Sequence, residues 1–326
     1  MGRPDPGHDA GPPSIPAAVP DPSPIPETQA PQVDRPRAAV LAMLVAVATF
    51  TLMDAALKLL APHYPPLQVA AMRGMAALPL ALGWALATVG ARALVRVHWP
   101  LHLLRGVLAV GFMALFVRGL RDLPLSTAYA IAFVAPLLVT ALAVPLLGEK
   151  VGPRRWVAVA VGMAGVLVIL RPGTDGLATV AGLSVLAAAV FYSLAAITVR
   201  PLARRDSAQA MVVWFLALLA LGAGLLAWPG WVPVQPAHGW LVAAVGVTGM
   251  LGQVALTRAF RLGEASLVAP LEYTALVWVV LLDVALWGVL PDAATWAGAA
   301  IIVASGLYLM RREPPSVPTP PTPGAG

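Results

Sequence analysis

The sequence predicts an all-α membrane protein of ten transmembrane helices, arranged as two inverted five-helix repeats, and three observations carry the prediction. The first is composition. Hydrophobic residues are 59% and charged residues 11% of the 326, with mean hydropathy +0.82. A soluble domain carries about 25% charge, so this chain cannot cover a water-facing surface of its size. The second is the recurrence of apolar runs of roughly 20 residues, the length of helix that crosses the hydrocarbon core of a bilayer. The third is a match of the chain with itself at an offset of 140 residues.

The elements follow in order. Residues 1–37, rich in Pro, Ala, Asp and Ser, are expected to be a disordered extension with no early apolar segment, hence no cleavable signal peptide. Span one, 38–60, holds only two charges, Asp54 and Lys58. The turn signal APHYPP leads to span two, 67–89, which carries Arg73 and Pro79. Span three, 100–120, carries Arg105 and Arg118, and Asp122-Leu123-Pro124 separates it from span four, 124–147, with Tyr129, Pro136 and Pro145. A basic, turn-forming stretch with Glu149, Arg154 and Arg155 precedes span five, 155–171, whose GMAGVL reads as a close helix-packing surface. RPGTDG then opens the second half. Span six, 177–199, holds Tyr192; span seven, 208–228, holds Trp214; PGWVPVQP leads to span eight, 239–260. Span nine, 265–289, holds Pro270, Glu272, Tyr273 and Asp283. Pro291-Asp292 breaks it from span ten, 293–310, with Asp292 placed to cap the last helix. Residues 311–326 are expected to be a second disordered tail. The two repeats are therefore 38–171 and 177–310.

Ten spans put both termini on one side. With that side cytoplasmic, 13 basic residues fall inside: Arg3, Arg35, Arg37, Arg92, Arg96, Lys150, Arg154, Arg155, Arg200, Arg204, Arg205, Arg311 and Arg312. Five fall outside: Arg118, Arg121, Arg171, Arg258 and Arg261. Positive charge is retained on the cytoplasmic side, so the expected location is the bacterial cytoplasmic (inner) membrane with both termini in the cytoplasm.

The internal match is polar as well as apolar. RGLRDLPLS (118–126) lies over RAFRLGEAS (258–266), Gly148 over Gly288 and Trp156 over Trp296, without a gap. Spans three to five thus recur as spans eight to ten. Five spans separate the copies, and an odd number inverts the second across the membrane. Inverted repeats of this kind are built into many secondary transporters, where rocking of the halves alternates access to a site near the midplane.

Residues 126–173, STAYAIAFVAPLLVTALAVPLLGEKVGPRRWVAVAVGMAGVLVILRPG, resemble the half-domain of the drug/metabolite transporter superfamily, EamA type. Residues 275–312, ALVWVVLLDVALWGVLPDAATWAGAAIIVASGLYLMRR, resemble its second copy. The resemblance spans 38–312 and rests on the pattern LLGEK–RRW–G–G–L–L–RPG. It implies a cytoplasmic-membrane carrier of amino acids, nucleosides, other metabolites or toxic compounds. The first half is also similar to bacterial S-adenosylmethionine carriers. Many members carry a glutamate at the end of the fourth and ninth spans. Here the first copy has Glu149 and the second has Val289, which disfavours a mechanism that needs both. Glu149, with Lys150, Arg154 or Arg155, is then expected to fix the turn, in a structural or gating role.

The embedded charges are the candidates for chemistry, because a charge in hydrocarbon is expensive and usually lines a cavity or meets a partner. Asp54 and Lys58 are one helical turn apart and face the same way; they are expected either to pair with each other or to face the central cavity opposite Glu272. Arg73 either snorkels outward or, with Lys58, holds an anionic group. Glu272 and Asp283, three turns apart, form a polar stripe on span nine suited to coupling protons or gripping a cationic group, with Asp283 nearer the cytoplasmic end. Tyr129, Tyr192, Trp214 and Tyr273 are cavity-lining candidates, each also explicable as packing. Pro136, Pro145 and Pro270 interrupt spans four and nine as candidate hinges.

Other classes fit less well. There is no cysteine, no phosphate-binding glycine loop and no serine elbow, so no cofactor, metal or catalytic residue is expected, and no nucleic-acid motif is visible. The expected partners are a small-molecule substrate, the bilayer and, as an open alternative, protons; a homodimer also stays open. The runner-up reading is a polytopic membrane protein that transports nothing: a structural or signalling scaffold, or an intramembrane enzyme.

Overall fold

The computed structural model describes Gly2 and residues 36–147, 152–171, 176–263 and 265–311, and the regular structure among them is entirely helical. Among the described residues nine helices are long and apolar enough to cross a membrane, and Ala293–Leu309 is a slightly shorter apolar tenth. Spans one to three are Pro36–Leu60, Pro66–Thr88 and Trp99–Asp122, with a short helix Arg92–Val95 between the last two. Span four is two helices, Leu125–Ala132 and Ala135–Leu147, and span five is Pro153–Leu170. Spans six to eight are Gly176–Ala203, Ala208–Ala227 and Gly239–Leu262. Span nine is Ala265–Val268, a 3-10 segment Ala269–Thr274, the helix Ala275–Leu282 and a π turn Asp283–Trp287; span ten is Ala293–Arg311.

The offset of 140 residues holds through the whole fold. Trp99–Asp122 and Gly239–Leu262 correspond residue for residue, as do Ala135–Leu147 and the run from Ala275 to Trp287. Pro36–Leu60 and Gly176–Ala203 start at the same offset. Spans one and two therefore repeat as six and seven, a relation hidden in the sequence because their polar residues differ.

Packing follows the inverted repeat. Span one lies along span eight, and its counterpart, span six, lies along span three. Spans two and seven, four and nine, and five and ten each meet their own counterpart. Small residues permit the close crossings: Gly74 on span two abuts the backbone of Ala220 on span seven, and Gly165 and Gly298 bring spans five and ten together. Outside the bundle, Trp99, Trp156, Trp228, Trp240 and Trp296 are exposed at span ends, the placement of interfacial aromatic belts. Asp292 accepts the backbone N–H of Thr295 at 2.7 Å and caps span ten.

Several sequence expectations change. Helix begins at Pro36 and Arg37, inside the segment expected to be disordered, and reaches Arg311. Pro136 and Pro270 stand beside breaks in spans four and nine, but Pro145 does not interrupt its helix, which runs on to Leu147. So close to the helix end, its missing N–H costs one bond. Arg258 and Arg261 belong with the termini: span eight is even-numbered, and Gly263 at its end lies against Ala39 at the start of span one. Asp283 is at the opposite end from the termini, since span nine, like span one, runs away from them; it bonds the start of span four, beyond the end of span three. Glu149 lies outside the described residues.

Candidate functional site

Span three supplies the wall of the interior. Arg105, Ala109, Phe112 and Phe116 recur at the spacing that puts them on one helical face. Phe112 stacks on Phe116 with ring centroids 5.7 Å apart and also meets Tyr192 of span six at 5.5 Å. Phe116 meets Tyr129 at 6.5 Å, Tyr129 meets Phe133 at 6.0 Å, and Phe133 meets Tyr273 at 5.0 Å. The chain contains 7 Phe and 5 Tyr in all, and half of them form this one continuous series. It runs from span six across span three to the breaks in spans four and nine.

A charged cluster lies on the half of the bundle away from the termini. Tyr129 donates its hydroxyl hydrogen bond to Asp54 Oδ2 at 2.6 Å, and Asp54 is 7% exposed. Arg73 is within electrostatic range of both Asp54 and Tyr129, and its Nη1 lies against the Met113 thioether. Arg73 therefore turns into the bundle instead of snorkelling outward. Spans one, two, three and four converge here.

Lys58 does not join this cluster. Its Nζ donates to the Leu123 carbonyl at the end of span three and stands 4.9 Å from the Trp287 ring, within electrostatic range of Asp283. Asp283 is fully buried and accepts three hydrogen bonds: Leu125 N–H at 3.0 Å, Ser126 N–H at 2.8 Å and Ser126 Oγ–H at 2.6 Å. These satisfy the otherwise orphaned donors at the start of span four. The expected Asp54–Lys58 pair and Glu272–Asp283 stripe are thus both replaced. One turn of helix separates Asp54 from Lys58, enough for the longer lysine to reach the loop end; Asp283, at the start of the π turn, faces span four.

The second interior cluster lies on the half nearer the termini. Glu272 sits in the 3-10 segment of span nine with an exposed side chain. Tyr192, 49% exposed, is within electrostatic range of both Glu272 and Arg105. The Arg105 guanidinium carbon lies 5.4 Å from the Phe215 ring centroid. Tyr273 packs its hydroxyl against Gly306 of span ten.

The other candidates lie elsewhere. Trp214 does not line the interior: its indole N–H donates to Leu94 O at 2.8 Å and its ring meets Trp99. Arg154 and Arg155 border a cavity of about 250 Å³ with Tyr308 and Leu309, at the end of the bundle where span one begins and span ten ends. The sequence pattern singles out none of Phe112, Phe116, Phe133 and Phe215, and reads Arg105 as an interface anchor. The spacing of 105, 112 and 116 was the available signal, but a lone arginine near a span end reads as an interface anchor.

The model of the EamA-like transporter family matches this chain twice, at residues 37–171 and 179–311. A riboflavin transporter of Rhizobium johnstonii is 34% identical over 223 residues, 68% of this chain and 74% of that one. A pseudopaline exporter of Pseudomonas aeruginosa is 30% identical over 282 residues, 86% of this chain and 99% of that one. An S-adenosylmethionine uptake transporter of Rickettsia prowazekii is 28% identical over 216 residues, covering 66% and 73%. A solved crystal structure superimposes with a TM-score of 0.59 at 23% identity, over 85% of this chain and 98% of that one, which shows a common fold.

Proposed function

This chain belongs to the EamA-like transporter family, whose members move small molecules across membranes, and we propose that it carries a ring-bearing polar solute through its interior by alternating access. One observation carries the reading: a continuous series of six aromatic rings connects two charged clusters at different depths, around the breaks in spans four and nine. Aromatic faces hold flat, partly apolar groups, while Asp54 with Arg73, and Glu272 with Arg105, meet polar ends. Relatives named for riboflavin, pseudopaline and S-adenosylmethionine support a small solute without fixing which one. Asp54 and Glu272 are the groups assigned to carry a coupling proton. Lys58 and Asp283 are assigned to structure, holding the ends of spans three and four.

The membrane assigned is the bacterial cytoplasmic membrane, with both termini in the cytoplasm. Once Arg258 and Arg261 join the termini, 15 basic residues stand on that side against three opposite, and the positive-inside bias supports the orientation. On this cysteine-free background, Val234→Cys is expected to label with an impermeant thiol reagent on intact cells and Val95→Cys to be protected; the reverse pattern overturns it. Transport itself is tested by reconstituting the purified protein in liposomes with riboflavin, amino acids, nucleosides and cationic dyes, with and without a pH gradient. Saturable movement of a ring-bearing solute is expected. Folded protein that moves none of them faster than protein-free liposomes counts against the reading.

A further inference from the structure

The two interior clusters differ in how their charges are met. Asp54 is bonded by Tyr129, and Arg73 lies beside both. Arg105 is not met in this way. Its Nε and Nη1 are buried and have no hydrogen-bond partner among the described residues. A guanidinium that snorkels would place these donors in water or among headgroups; this one is drawn inward over Phe215 of span seven. It shares its helical face with Phe112 and Phe116, so it opens onto the ring series. Tyr192 stands beside it with a half-exposed side chain. Leaving buried charged donors unmet costs free energy that a hydrogen-bonded anion would recover, and a guanidinium offers a carboxylate or phosphate two parallel donors.

We propose that Arg105, with Phe215 and Tyr192, forms an anion-binding subsite for a carboxylate or phosphate group on the transported solute, with the solute's ring on Phe112 and Tyr192. This rests on the transport reading above for what delivers the anion, but its test is of binding alone. Glu272, across Tyr192, opposes a second negative charge and favours solutes with one anionic group.

The test compares two probes that share a ring and differ in charge, indole-3-acetate and its neutral amide, by the thermal unfolding midpoint of the purified full chain in zwitterionic-lipid nanodiscs. Ligand that binds the folded state raises the midpoint with concentration. The wild type is expected to respond to indole-3-acetate at concentrations about tenfold lower than to the amide, a modest charge-assisted preference. Arg105→Gln should abolish that preference while keeping the response to the amide. Should Arg105→Gln not fold, Arg105→Lys serves instead, and its preference should fall at least about threefold for want of the paired donors. The proposal is overturned by a wild type that responds to neither probe or equally to both, or by a preference that survives in the variant. Repeating the measurement with phosphatidylglycerol in the nanodisc separates the two sources of anion: loss of the preference there means a lipid headgroup takes the site, which overturns the solute assignment. Failure of the liposome assay with the binding preference intact would instead count against transport of the solutes tried.

Discussion

The two repeats share their span boundaries almost residue for residue, yet they do not share a single interior charge. The counterparts of Asp54, Lys58, Arg73 and Arg105 are Leu194, Thr198, Val213 and Val245; those of Glu272 and Asp283 are Ala132 and Ala143. At the span ends the opposite holds, for Arg118, Arg121 and Arg171 recur as Arg258, Arg261 and Arg311. End charges orient and anchor helices, which both repeats need. Of the interior charges, Lys58 and Asp283 hold span ends, while on the proposed reading Asp54, Arg73, Arg105 and Glu272 meet a solute or a proton, for which one set suffices. The comparison separates what the fold requires from what the site requires.

Making the repeats alike is the harshest test of that separation. Leu194→Asp copies Asp54 into span six without the arginine or tyrosine that attends it, a cost of about 2.5–3.5 kcal/mol for a lone charge in a span. Folded protein recovered from membranes should fall to a small fraction of wild type, and adding Val213→Arg should restore part of it. Full recovery of Leu194→Asp alone would break the comparison. Asp54→Asn comes next. It strips Arg73 of its nearby negative charge, and solute flux in liposomes should drop about tenfold or more, a loss of the size expected when a buried charged partner is removed. Flux at the wild-type rate and pH dependence would remove Asp54 from the site.

Asp283→Ala should act differently in kind. It removes three hydrogen bonds at the start of span four, so stability falls by about 1–3 kcal/mol while the ranking of solutes stays. A changed ranking with unchanged unfolding would move Asp283 from structure to site. The smallest effect belongs to Asp292, outside the span. Its carboxyl is held below the ordinary value of 3.8, chiefly by hydrogen bonding from Thr295 and then by Arg171. A folded-state value below the unfolded one means that the contribution is present above pH 3.8 and is lost as pH falls through the folded value. Asp292→Ala should therefore unfold at a slightly lower temperature than wild type at neutral pH, and the gap should close in acid.

Much of this fold could be read in the sequence, because span length and apolar content are set by the bilayer and not by tertiary detail. The ten segments, the inverted offset and the capping role of Asp292 all follow from local pattern. The site was less legible. Asp54 and Lys58 share a helical face, but side-chain reach sent one to Tyr129 and the other to the Leu123 carbonyl. Glu272 and Asp283 share a face only if span nine is a regular helix, and the 3-10 segment that holds Glu272 breaks that regularity. Local irregularity of this sort arises from contacts between spans, which periodicity along one span does not contain. Trp214 was drawn off by a carbonyl on the short helix before span three, a partner 120 residues away.

Phe133 and Tyr273 are counterparts in the two repeats, and their rings touch, with an interplanar angle of 67°. A contact between counterparts sits on the axis that relates them. When the halves trade conformations, every off-axis contact is carried to a different place, whereas this one is carried onto itself. On the proposed alternating-access reading the pair is a fixed point of the exchange, a fulcrum at the breaks of spans four and nine about which the rest tips. The only chemical mark that tells its two ends apart is one hydroxyl, seated against Gly306.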